Sequence, residues 1–236
     1  MFSLKALLDL IFPLRCSVCR KIDPAILCKT CLNQILYINF PYCQRCGIPL
    51  DSSRYDLCYS CKTISPFFNI SRSIGVYEGV LKKALQAFKF KGKKELGEPL
   101  GKIMVNYLVS APFKLDWCGI NLVLPVPLHE KRLQNRGYNQ AELLGEIISA
   151  SLGIPLDTQS LIRSKNTKPQ FSLNKIERQK NMQDAFQVCD PGSIKNKQIL
   201  LIDDIYTTGL TVCECTKVLL QAGALRVNIL TLSRAE

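Results

Sequence analysis

Apolar positions change period several times along the chain, and those changes divide it. From 121 onward the pattern is that of strands alternating with helices. Residues 121–126 and 198–202 are largely apolar runs of strand length, and 227–232 reads as a third strand. Between them, Leu143, Leu144, Ile147 and Ile148 recur at helical spacing within 140–152, and 211–222 reads as a second helix. Strands buried on both faces and separated by helices imply a parallel sheet. Upstream, Leu81, Leu85 and Phe88, then Leu96, Leu100, Ile103, Met104 and Tyr107, mark two helices within 76–108, with Gly92 at the break. Residues 1–12 place Leu4, Leu7, Leu8 and Ile11 on one face of a short amphipathic helix. Such a helix packs on its neighbour or lies on a membrane surface.

The segment between has no such period and is organised by cysteine. Of twelve cysteines, eight form four CxxC pairs: Cys16/Cys19, Cys28/Cys31, Cys43/Cys46 and Cys58/Cys61. A CxxC knuckle turns two sulfurs toward one ion, and two knuckles complete a closed tetrahedral zinc site. The spacings C-x2-C-x8-C-x2-C and C-x2-C-x11-C-x2-C favour two zinc ions held blockwise, with interleaved pairing as the alternative. Gly47 suits the left-handed turn of a knuckle. With all ligands cysteine, no position is left open for zinc catalysis. A disulfide framework would need an oxidising compartment. No secretory signal pattern is evident at the start of the chain and no apolar run approaches the ~18 residues of a membrane span, so a cytoplasmic location is expected. Cys118, Cys189, Cys213 and Cys215 have no ligand spacing and are read as packing residues.

Charge narrows the class of partner. The formal net charge is +12, and two zinc tetrathiolate sites would lower it to about +8. Anionic partners such as polyphosphates or nucleic acid are favoured. The basic run Lys82, Lys83, Lys89, Lys91, Lys93 and Lys94, interleaved with Phe88 and Phe90, is either a solvated helix face or a contact for a single-stranded backbone and its bases. Within it, Lys89, Lys91, Lys93 and Lys94 are the candidate DNA contacts.

The sharpest chemical signal is the stretch 199–211. An apolar strand delivers Asp203 and Asp204 to its open end, and Thr207, Thr208, Gly209 and Thr211 then lead into a helix. Unpaired backbone N–H groups and the helix dipole make such a loop a phosphate cradle. The two carboxylates suit sugar hydroxyls or a magnesium ion bound to them. An NTP-hydrolysing site would need G-x-x-x-x-G-K-[ST], and neither Gly92-Lys93 nor Gly101-Lys102 supplies it.

This stretch resembles the phosphoribosyl pyrophosphate (PRPP) motif of type I phosphoribosyltransferases. The whole chain resembles the ComF family of competence-associated proteins. The resemblance rests on the four knuckles, Tyr77-Glu78-Gly79 followed by Phe90-Lys91-Gly92, Pro125-Val126-Pro127, Arg136-Gly137-Tyr138-Asn139-Gln140, Lys168-Pro169-Gln170, Arg178, and Asn181 with Phe186. It implies a double zinc-ribbon module over 1–66, a helical adjunct over 67–118 and a phosphoribosyltransferase-like α/β domain over 119–236. It further implies PRPP with magnesium on Asp203, Asp204 and the 207–211 loop, pyrophosphate against the backbone of Val126, Pro127 and Leu128, and Arg136, Arg132 and Lys131 close by. His129 is either a further pyrophosphate contact or an ordinary loop residue. The polar stretch 163–181, with Arg163, Lys165, Lys168, Gln170, Lys175, Arg178 and Lys180, resembles a region that closes over the site. The functions implied are handling of single-stranded DNA in natural transformation beside a DNA-translocating helicase, or a phosphoribosyl transfer to a small acceptor. Some relatives are instead linked to gluconate use or iron–sulfur metabolism.

Overall fold

The computed structural model describes residues 13–54, 56–110, 117–165 and 182–235. The amphipathic stretch 1–12 and the polar residues 166–181, which include Lys168, Gln170, Lys175, Arg178, Lys180 and Asn181, lie outside the described residues.

Each cysteine block folds as a knuckle followed by a one-turn helix, α1 (Lys29–Leu32) and α2 (Tyr59–Thr63). Each helix starts directly after a cysteine, Cys28 or Cys58. The knuckle turns close through Arg20 N–H to Cys16 O (3.0 Å) and Gly47 N–H to Cys43 O (2.9 Å). Both turning residues are left-handed, with φ of 66° at Arg20 and 71° at Gly47. Arg20 tolerates this on an exposed turn, whereas at Gly47 a Cβ would come within 2.7 Å of the Ser71 carbonyl oxygen. Glycine is needed there for close approach as much as for φ.

That approach reflects how the module docks. Strand β1 (Ser71–Val76) is the edge of a four-stranded parallel sheet, order β1-β6-β5-β2. The others are β2 (Leu122–Pro125), β5 (Gln198–Tyr206) and β6 (Arg226–Arg234). The zinc module covers the outer edge of β1. Ile38 donates to Ile74 O (2.9 Å), Val76 to Leu36 O (2.9 Å) and Ser71 to Arg45 O (2.7 Å). An open edge would otherwise present unpaired backbone groups to any passing strand.

Residues 67–118 were expected to be a helical adjunct. The structure corrects this. They supply β1, then α3 (Gly79–Phe90) and α4 (Gly97–Val109), all built into the α/β unit. The strand escapes notice because Ser71, Arg72 and Ser73 are polar yet buried, with the Ser73 hydroxyl 2.8 Å from that of Thr231 on β6. Periodicity sees only polarity, not a polar group satisfied inside.

Alternate residues of the central strands feed opposite layers. Leu200, Ile202, Leu230 and Leu232 join the core made with α3, α4 and α6 (Gln140–Leu152). Ile199, Leu201, Val227 and Ile229 join α8 (Leu210–Gln221) on the other side. A short antiparallel pair, β3 (Leu161–Arg163) and β4 (Phe186–Val188), adds to that second layer, with α7 (Pro191–Ile194) following it. Cys16, Cys28 and Cys31 belong to the first core, while Cys43, Cys46 and Cys61 belong to the second. The remaining cysteines divide. Cys215 is core and Cys213 half-buried, but Cys118 and Cys189 are exposed rather than packed.

Candidate functional site

Residues following all four parallel strands line a single cleft of about 1070 Å³, among them Tyr77 after β1, Val126 after β2, Thr207 after β5 and Ala235 after β6. Open α/β sheets bind ligands at this end, where loops converge and helix N-termini point inward.

The acidic pair forms its floor. Strand β5 is longer than the apolar run alone implies and carries Asp203 and Asp204 within it. The Asp204 N–H donates to Asp203 Oδ1 (2.8 Å), and Asp204 Oδ2 pairs with Lys89 Nζ at 2.8 Å. Burial and the adjacent Asp204 charge push the Asp203 carboxyl up to about 8, against the opposing pull of Lys89.

Past Tyr206 the chain turns at Gly209, whose φ of 77° and whose contact with the Tyr206 ring leave no room for a Cβ. Gly209 is the N-cap of α8 and has no side chain with which to cap it, so the positive end of the helix dipole is turned toward the loop. Thr207 and Thr211 line the cleft, while Thr208 is an exposed residue of the turn.

The opposite wall is Val126, Pro127 and Leu128. Asn139 fixes it, because its Nδ2 donates to Val126 O (3.1 Å) while its Oδ1 caps α6 through Ala141 N–H (3.1 Å). Arg132 and Arg136, on α5 (Glu130–Arg136), and Arg163, at the end of β3, complete a basic side. Burial, with Arg132 nearby, lowers the Arg163 guanidinium to about 10. Burial also lowers Arg132, helped by Arg136. A cluster of cations holding one another down in this way favours an anionic guest. His129 caps α5 instead, its Nδ1 accepting from Lys131 N–H (3.2 Å), and neither residue lines the cleft.

The basic run separates into two parts. Lys89 points into the cleft and is paired, whereas Lys91, Lys93 and Lys94 are exposed around Gly92 at its rim. Charge alone groups Lys89 with the other three. Its position was nonetheless legible, because Leu81, Leu85 and Lys89 share one helix face at i, i+4 and i+8. Phe90 is 71% exposed at the same rim, with the Arg136 guanidinium 5.5 Å from its ring centroid. The Phe88 carbonyl accepts from Tyr138 Oη and from Gln140 Nε2, so the end of α3 is tied to the 136–140 stretch. Tyr77 and Asn139 are further cleft residues for which the sequence reading assigned no role.

The cysteines gather blockwise. The sulfurs of Cys16, Cys19, Cys28 and Cys31 lie within 4.8 Å of one another, and so do those of Cys43, Cys46, Cys58 and Cys61. Cys16–Cys31, Cys19–Cys28 and Cys46–Cys58 are 3.7 Å apart. A tetrahedron with Zn–S bonds of about 2.3 Å has edges of about 3.8 Å. The donor set therefore fits two structural zinc ions, with four thiolates on each and no interleaving.

Fold and site define the class: a double zinc ribbon joined to a type I phosphoribosyltransferase-like domain. Sequence comparison agrees, matching a double zinc ribbon domain over residues 7–62 and a phosphoribosyl transferase domain over residues 139–235. The chain is 31% identical to Competence protein F of Haemophilus influenzae over 228 residues, 95% of this chain and 98% of that one. It is also 31% identical to Competence protein ComFC of Bacillus subtilis over 216 residues, 88% of this chain and 84% of that protein. It belongs to the ComF family of competence proteins. Adenine phosphoribosyltransferase from Thermoanaerobacter pseudethanolicus superposes with a TM-score of 0.38 at 10% identity, covering 65% of this chain and 73% of that structure. No described helix is long and apolar enough to cross a membrane.

Proposed function

We propose that this protein binds PRPP in the cleft over Asp203 and Asp204 and handles imported single-stranded DNA during natural competence. The observation that carries the PRPP reading is the convergence, in one cleft, of a carboxylate pair, the α8 N-terminus with Thr207 and Thr211, and the guanidinium groups of Arg132, Arg136 and Arg163. A 5-phosphate fits the loop of Thr207, Thr208, Gly209 and Thr211. Ribose hydroxyls fit Asp203 and Asp204, and pyrophosphate fits the backbone of Val126, Pro127 and Leu128 together with Arg136. The hard oxygens of the acidic pair suit magnesium, and Lys89 already supplies Asp204 with a cation. When bound, magnesium would neutralise the polyphosphate and orient the ribose.

The DNA reading draws on the names of the relatives and on the rim of the cleft. Lys91, Lys93 and Lys94 are exposed there beside an exposed aromatic ring, Phe90, on which a base could stack. A cytoplasmic location beside a DNA-translocating helicase goes with this role.

Calorimetry with magnesium and PRPP on the wild type and on the Asp203→Asn/Asp204→Asn double variant tests the site. Binding by the wild type alone is the expected result. Affinity retained by the double variant would refute the assignment of the acidic pair.

A second reading, phosphoribosyl transfer to a small acceptor, is favoured by the placement of Arg132, Arg136 and Arg163 in the same cleft as the acidic pair. These cations would stabilise a leaving pyrophosphate. Release of pyrophosphate from PRPP in a screen of candidate acceptors would distinguish catalysis from binding alone.

A further inference from the structure

The two ribbons stand in different relations to the cleft. The first packs into the core made with Ile74, Leu81 and Leu85, on the α3 side of the sheet. The second packs with Tyr206 at the end of β5 and with Val212 and Leu219 of α8. One buried side chain joins this second ribbon to the phosphate loop. Arg234, the last residue of β6, is 8% exposed and donates from Nη1 to the carbonyl of Cys46 at 2.8 Å. Its guanidinium carbon lies 4.2 Å from the centroid of the Tyr206 ring. Tyr206 is the last residue of β5, and its ring closes on Gly209, the residue that turns the loop into α8.

A buried guanidinium needs its donors and its charge met. No ion pair between Arg234 and a carboxylate is formed among the described residues. Its neighbours are instead the Cys46 carbonyl, the face of Tyr206, and the second cysteine cluster, which with zinc bound would carry a net charge of about −2. With zinc bound, the ion would tie the Cys46 sulfur to those of Cys43, Cys58 and Cys61 and so hold the Cys46 carbonyl in place. The stack Cys46–Arg234–Tyr206–Gly209 therefore runs unbroken from a metal site to an anion site.

We propose that the second ribbon positions the 207–211 loop, with Arg234 and Tyr206 as positioning residues. Zinc held by Cys43, Cys46, Cys58 and Cys61 then sets how well the loop is preorganised for a phosphate. The consequence for affinity rests on the PRPP reading above; the consequence for loop order does not.

The test is hydrogen exchange on the full chain, read with zinc content and with PRPP calorimetry. The variants are Cys58→Ser, Cys19→Ser, Arg234→Met and Arg234→Lys. Cys58→Ser and Cys19→Ser should each lose about one of two zinc ions. Exchange across 206–211 should rise about tenfold in Cys58→Ser, and by less than about twofold in Cys19→Ser, with 122–125 as the internal reference. Arg234→Met should keep both zinc ions yet reproduce the loosened loop, and Arg234→Lys, which retains a cation and a donor for Cys46, should restore most of the protection. The Kd for PRPP should rise about tenfold in Cys58→Ser and in Arg234→Met.

Equal loosening in Cys58→Ser and Cys19→Ser, or wild-type loop exchange in Arg234→Met, would overturn the proposal. Should Cys58→Ser fail to fold, Arg234→Met decides alone. A wild type that binds no PRPP would refute the PRPP reading, while loop exchange would still decide the coupling.

Discussion

Lys89 Nζ lies 2.8 Å from Asp204 Oδ2, joining the end of α3 to the end of β5 across the floor of the cleft. The two side chains are 19% and 8% exposed, so the pair is largely shielded from water and neither charge is readily spared. The Lys89 ammonium thus sits beside the Asp204 carboxylate, where the proposed magnesium ion would also bind.

Replacing Lys89 with Met strands the Asp204 charge. We expect the ligand-free variant to lose about 2–3 kcal/mol of stability. Thermal melting at pH 7 reads this directly. Magnesium should return more stability to the variant than to the wild type, because no resident cation competes with it. Wild-type melting together with a wild-type magnesium response would mean that the pair contributes nothing to the stability of the cleft.

Asp203 sets a pH dependence of opposite sign to that of a salt-bridged carboxylate. Its folded-state value is raised to about 8 by burial and by Asp204, whereas an unfolded aspartate titrates near 3.9. The folded state thus disfavours the charge. The cost is absent below about pH 4, grows as the pH rises toward 8, and is constant above that. Asp203→Asn should therefore melt above the wild type at pH 8, with the gap closing as the pH falls to 4. A gap that is constant with pH would show that the carboxyl is not held protonated by its surroundings.

Zinc removal should reach beyond the ribbons. The module supplies the partners of the β1 edge through Leu36, Ile38 and Arg45. Chelation should release about two zinc ions per chain and unfold the module. It should also raise exchange at Ile74 and Val76 and promote association through the uncovered edge. A chelated chain that stays monomeric with β1 still protected would show that the edge does not depend on the metal.

The rim lysines give a salt-dependent signature. Lys91, Lys93 and Lys94 are exposed, and each phosphate contact on a single strand contributes about 0.7 to the slope of log K against log salt. Replacing the three with Glu should lower that slope by about 2 and weaken single-stranded DNA binding at low salt, as read by fluorescence anisotropy. An unchanged slope would assign the run to a solvated face.

What could be read along the chain was chemistry carried by neighbours in sequence. A CxxC knuckle is complete within four residues, and the passage from strand to acidic pair to hydroxyl loop to helix is complete within 199–211. Helical spacing likewise located α3, α4 and α6, because a buried face repeats along its own element. Strand β1 is not legible because its first three residues, Ser71, Arg72 and Ser73, are polar yet buried, with Ser73 finding its partner in Thr231 on β6. The cover over the β1 edge, the Lys89–Asp204 pair and the reach of Arg234 to Cys46, 188 residues apart, emerged only on folding. Each of these joins groups distant in sequence, and their meeting depends on which edges and faces the packed layers bring together. Periodicity records that a residue is buried; it does not record against what.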